Sequence, residues 1–152
     1  MKLLIQKKAQ CLLYATAMIL DANPMRLANE IGHDGLEQKW PLLSYPFCSV
    51  GYHIQEMQDV CFTRGKLLAK IEPVPLSAPY ANAKPHYVYK DFEKRFKNMI
   101  KGSRALIITE KHAVAWDGAW IYDPNGVVYE LDKVDEIREA WLLCTRNSSK
   151  NH

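Results

Sequence analysis

The stretch Lys111–Gly126, KHAVAWDGAWIYDPNG, decides how the second half of the chain folds. Small and apolar residues flank Asp117-Gly118, and Asp-Gly between two such runs is the strongest short-range signal for a two-residue β-hairpin loop. With that loop, the register pairs Trp116 with Ala119 and, further out, His112 with Asp123. Directly opposed residues share a face, with Cβ atoms roughly 4.5–5.5 Å apart. A carboxylate at that distance can hold an imidazole nitrogen, so the hairpin presents a His–Asp pair and asks for a nucleophile. Asn125 is the fallback partner for His112 if Asp-Gly is not the turn.

Around the hairpin the sequence reads mostly as strand: RALIIT before it, VVYEL and EAWLLCT after it, with DKVDEIR as one helical turn between the last two. The N-terminal half is helical. QCLLYATAMILD is apolar nearly all round, the mark of a central buried helix. NPMRLANEIG follows, with Asn23 as N-cap, Pro24 at the first position and Gly32 past the end. HIQEMQDVCFTRG is a third helix with Ile54, Met57 and Cys61 on one face and Gly65 closing it. KLLAKIEPVP reads as a strand cut off by its prolines. KDFEKRFKNMIKG is a fourth helix with Phe92, Phe96, Met99 and Ile100 inward. Helices first and antiparallel strands afterwards predict an α+β domain.

A chain of 152 residues suffices for one core without disulfides or metal. The expectation is a single domain over 1–146 and a frayed tail over 147–152. Net charge is +3 with no long basic run, which argues against a nucleic-acid surface. No segment reaches the ~20 apolar residues that span a bilayer. The start, MKLLIQKK before CLLYATAMIL, imitates a signal peptide, but Gln10, Tyr14 and Thr16 interrupt the run. A retained N-terminus and a cytoplasmic protein are expected. Cys11, Cys48, Cys61 and Cys144 lack any CxxC pair and read as free thiols. Cys48, His53 and Cys61 match no zinc spacing, so neither metal nor cofactor is expected. His33-Asp34 reads as a turn, and His53 and His86 have no evident partner.

Cys11 supplies the nucleophile. It falls in the first turn of the buried helix, where backbone N–H groups and the helix dipole stabilise a thiolate, and Lys7 and Lys8 add positive charge. Asp123 would orient His112 and fix its tautomer. The Cys11 N–H and the Gln6 side-chain amide would receive the oxyanion.

Cys near the start of a central helix, Gln shortly before it, and a late His and Asp on neighbouring strands resemble the papain-like cysteine peptidases. Within them, QKKAQCLLYATAMILD is most similar to the bacteriocin-leader peptidases, with Ala17 and Met18 at the places of their Ala-Met. HAVAWDGAWIYDPNG resembles their His strand and following Asp-Pro strand. EIGHDG and GYHIQEM are similar to phage-encoded members of the group. Three positions depart from the pattern: Leu12 stands where Gly is usual, Gln10 where Asp is frequent, and Gln6 lies one place closer to the Cys. The resemblance implies a papain-like fold and a cytoplasmic thiol hydrolase (in the host cytoplasm if phage-encoded), with Cys11, His112, Asp123 and Gln6 acting on a peptide or isopeptide bond of a peptide or protein substrate. The alternatives are acyl transfer or deamidation on the same triad, or a non-catalytic binding module. Specificity would sit in the loops 33–51 and 73–85. A lone Cys in an apolar helix is usually a small buried hydrophobe. A lone His–Asp pair is usually a weak surface contact. Joint occurrence in this chain order favours the catalytic reading.

Overall fold

In a computed structural model that describes residues 1–36, 51–73 and 91–147, the first helix, α1 (Cys11–Leu20), is enclosed as its composition requires. Every residue from Leu13 to Ile19 is buried. The buried Thr16 hydroxyl donates to the Leu12 carbonyl at 2.7 Å and so is satisfied inside the helix. At the other end Arg104 donates to the Ile19 carbonyl at 3.0 Å and to Asp21 Oδ2 at 2.6 Å. A cation there answers the negative end of the helix dipole.

Helix α2 (Pro24–Ile31) begins at Asn23, whose side chain accepts from the Met25 N–H, and ends at Gly32. Helix α3 (Ile54–Phe62) buries Met57, Val60 and Cys61. After strand β1 (Lys66–Ile71) comes α4 (Phe92–Ile100), and then β2 (Ala105–Ile108), β3 (Ala113–Trp116), β4 (Ile121–Asp123), β5 (Val127–Tyr129), a single 3-10 turn at Leu131–Lys133 and β6 (Glu139–Thr145). The strands form one antiparallel sheet in the order β1-β6-β2-β3-β4-β5. The architecture is α+β, with N-terminal helices packed on a largely C-terminal antiparallel sheet.

Alternating side chains divide the core in two. Leu68, Leu106 and Ala115 face α1, α2 and α3. Ala105, Ile107, Val114, Trp116 and Ile121 face α4. The fourth helix therefore covers the opposite face of the sheet. It does so with Phe96 and Ile100 alone: Phe92 and Met99, expected inward, are exposed. The helix lies over the sheet with a two-residue stripe, which two turns at i and i+4 are enough to supply.

The hairpin corrects the expected register. Trp116 pairs with Ile121 and Ala115 with Tyr122, so the turn is centred on Gly118-Ala119 with Asp117 and Trp120 flanking it. Asp117 donates its N–H to the Trp120 carbonyl at 3.1 Å. Its side chain accepts from the N–H groups of Ala119 and Trp120 at 2.8 and 2.7 Å, so the carboxylate takes the place of a ladder carbonyl. Gly118 has φ +105° and lies against the Gly102 backbone, where a Cβ would meet atoms at 3.0 Å. Moving the turn centre by one residue moves each partner by two, and the faces are kept. Expectations for Cys48, His86, and the segments 37–50, 74–90 and 148–152 lie outside the described residues.

Candidate active site

Cys11 is the first residue of α1, and Gln10 before it provides no side-chain cap. The Cys11 N–H thus belongs to the first turn, whose donors have no acceptor within the helix. Gln10 is fixed instead by its backbone N–H, which donates to Gln6 Oε1 at 3.0 Å and to the Lys8 carbonyl at 2.6 Å. The Gln10 side-chain amide donates away from Cys11, to the Asp34 carbonyl at 2.8 Å.

His112 sits at the mouth of the β2–β3 hairpin. Its carbonyl accepts the Thr109 N–H at 2.8 Å and the Thr109 hydroxyl at 3.2 Å, leaving Glu110-Lys111 as the two-residue loop. Nε2 of His112 lies 2.7 Å from Oδ1 of Asp123. The two residues are diagonal across β3–β4 and were expected directly opposite. A diagonal of that kind is still within reach of an imidazole. With Nε2 engaged, Nδ1 is the ring nitrogen left for Cys11. Its pKa is pushed up to about 9, first by the hydrogen bond with the Cys11 side chain and then, against desolvation, by Asp123.

Asp123 is buried, yet burial, which would raise its carboxyl, is outweighed by donors. The Asn125 N–H reaches Oδ1 at 2.8 Å and the Tyr129 hydroxyl reaches Oδ2 at 2.8 Å. With His112 they hold the carboxyl below its ordinary range. Sequence reasoning passes over Tyr129. The signal is nonetheless local: Asp123-Pro124-Asn125-Gly126 is a turn with Pro at its second place and Gly at its fourth. That turn closes with the Gly126 N–H on the Asp123 carbonyl at 2.8 Å and sets Asp123 opposite Val127, with Tyr129 two residues on.

The same turn anchors Gln6. Its N–H donates to the Pro124 carbonyl at 2.8 Å, and its Nε2 donates to Asn125 Oδ1 at 2.8 Å. Gln6 was expected to offer its side-chain amide to an oxyanion; one of the two hydrogens of that amide is taken by Asn125. Gln6, Cys11, Leu12 and His112 line one cleft of about 580 Å³, together with Gly51–Ile54 and Ile108–Lys111. Lys7 and Lys8 are not among the lining residues.

The lining residues Gly51–Ile54 are tied to the neighbouring 33–36 segment by groups that have no evident role in the sequence. His33 bonds Glu56 through Nε2 and accepts the Gly35 N–H on Nδ1 at 3.0 Å. Its ring stacks on Tyr52, centroids 4.7 Å apart. The Tyr52 hydroxyl, pushed up to about 12 by burial and the nearby Asp34 and Glu56, donates to the His33 carbonyl at 2.7 Å. His53 caps α3, its Nδ1 accepting from Gln55 at 3.1 Å. Asp34 does form the expected turn, accepting the Leu36 N–H at 2.9 Å.

No protein-family model, curated protein or solved structure matches the chain. Among the described residues no helix is long and apolar enough to cross a membrane.

Proposed function

We propose that the chain is a papain-like thiol hydrolase that cleaves a peptide or isopeptide bond through Cys11, His112 and Asp123. The observation that carries this reading is the position of His112, shared between the Cys11 side chain and Asp123 Oδ1 at the edge of an open cleft. A protonated imidazole between thiolate and carboxylate is both the thiolate's counter-ion and a proton donor.

In the reaction, the Cys11 thiolate attacks the carbonyl carbon and the carbonyl electrons move to oxygen. The Cys11 N–H and the spare Gln6 amide hydrogen receive that oxyanion. As the carbon–nitrogen bond breaks, His112 gives its Nδ1 proton to the leaving amine, and a thioester remains on Cys11. Neutral His112 then takes a proton from water, the hydroxide displaces the thiolate, and the acid product leaves. Leu12 lines the same cleft as Cys11 where the peptidases it resembles usually have Gly, which favours a substrate with little bulk beside the scissile bond. The cytoplasm of a host cell, where thiols stay reduced, suits this chemistry.

Limiting iodoacetamide followed by mass spectrometry tests the reading. Cys11 should be alkylated well before Cys144, and Cys61 last, since burial pushes its thiol up to about 12. Equal labelling of Cys11 and Cys144 would leave a non-catalytic binding module as the better reading. If Cys11 is activated, product mass separates hydrolysis from acyl transfer and deamidation.

A further inference from the structure

The geometry points to Tyr129 as a positioning residue that acts through Asp123, its hydroxyl holding the carboxylate where Oδ1 meets His112. The inference rests on the thiol-hydrolase reading and adds to it a residue outside the Cys–His–Asp set.

Asp123 lies between two diagonal partners on the strands to either side. His112 reaches it from the start of β3, and Tyr129 reaches it from β5, where Ile121 pairs with Tyr129 and Asp123 with Val127. The Asp123 side chain is only 9% exposed, so both of its oxygens need protein donors. Oδ1 has two, the His112 ring and the Asn125 N–H. Oδ2 has the Tyr129 hydroxyl. An ionised carboxylate has no hydrogen to give, so the hydroxyl must be the donor. Burial, with Asp123 beside it, raises the Tyr129 pKa, so that donor persists across the pH range in which His112 titrates. The ring itself is held by packing on the α4-side core, which makes the hydroxyl a fixed point for the carboxylate to turn on.

Tyr129→Phe removes one oxygen and keeps the ring. Oδ2 is then left buried without a donor, and the carboxylate turns toward water. His112 loses part of its anionic partner. The opposite result would follow if the hydroxyl only drained charge from a carboxylate already fixed by the backbone, because removing it would then strengthen the His112 contact.

The decisive measurement is the titration of the His112 ring by NMR in the full chain. In the wild type the midpoint should lie well above the ordinary imidazole range, the ring being pushed up to about 9 by Cys11 and Asp123. In Tyr129→Phe it should fall toward the Asp123→Ala value, by roughly three- to tenfold in the protonation constant. On the Asp123→Ala background, Tyr129→Phe should change nothing further, the signature of action through one partner. An unchanged or higher midpoint in Tyr129→Phe, or a further fall on the Asp123→Ala background, overturns the inference. Iodoacetamide labelling of the same wild-type sample separates the two readings. Slow Cys11 with a Tyr129-dependent midpoint defeats the hydrolase and keeps the coupling, whereas fast Cys11 with an indifferent midpoint does the reverse.

Discussion

His112 and Asp123 meet across a diagonal of the β3–β4 pair, Nε2 to Oδ1 at 2.7 Å, with Asp123 locked by three donors and His112 by its pairing to Thr109. The consequences of removing each group should be unequal. Cys11→Ala should abolish turnover and covalent labelling together. His112→Ala should cost about 10²–10⁴ in turnover, the range of general acid–base catalysis. Asp123→Asn should be the mildest: an amide oxygen can still accept from Nε2, and a thiol needs less help than a hydroxyl. Steady-state rates of the three variants check the order, and an Asp123→Asn loss as deep as that of His112→Ala would contradict it.

The pH dependence follows from the direction of the His112 shift. Its folded pKa, about 9, lies above the ordinary 6.5. The imidazolium therefore contributes stability that is fully present below about 6.5 and is lost as pH rises through 9. Activity should fall along the same limb, because the leaving amine loses its proton donor. Asp123→Asn should move that limb to lower pH. Rate–pH profiles and melting temperatures between pH 6 and 10 check both. A limb that ignored Asp123 would mean that the carboxylate does not support the imidazole.

Which parts of this were legible in the sequence follows from how local each determinant is. Asn23, Pro24 and Gly32 fix α2 within ten residues, and the composition of α1 requires its burial whatever surrounds it. The His112–Asp123 contact could be anticipated because even a wrong turn centre preserves the faces. The exact register could not, since Asp117 competes with the backbone for the Ala119 and Trp120 N–H groups, and Gly118 docks on Gly102, which lies in another turn. The His33–Glu56 and Tyr52 contacts join segments some twenty residues apart. Phe92 and Met99 carry the same helical spacing as Phe96 and Ile100, and only the placement of α4 on the sheet decides between them.

Gly118 and its neighbour Ala119 test the turn and its register. At φ +105°, with a Cβ meeting the Gly102 backbone at 3.0 Å, Gly118→Ala is strained in both backbone and contact. It should destabilise the fold by roughly 1–3 kcal/mol. The expected two-residue loop would instead have made Ala119 a strand residue, paired with Trp116. Both registers put Gly118 in the turn, so it is Ala119→Gly, read by urea denaturation, that separates them: nearly neutral for a turn residue, costly for a strand residue paired with Trp116. A tolerant Gly118→Ala would contradict the close approach to Gly102.

Gln6 and Gln10 compete for the oxyanion role, and their partners separate them. Gln6 lines the cleft beside Cys11, while Gln10 is not among the lining residues and donates its amide to the Asp34 carbonyl. Gln6→Ala should lower turnover by about a hundred- to a thousandfold, as loss of one oxyanion donor does in a well-studied hydrolase. The loss should fall on kcat more than on KM, because the charge develops only in the transition state. Asn125→Ala should give a smaller loss of the same kind, since it frees the Gln6 amide to swing without removing it. Gln10→Ala should leave kcat near the wild type and cost some stability through the lost bond to the Asp34 carbonyl. Full activity in Gln6→Ala with loss in Gln10→Ala would move the oxyanion donor to Gln10.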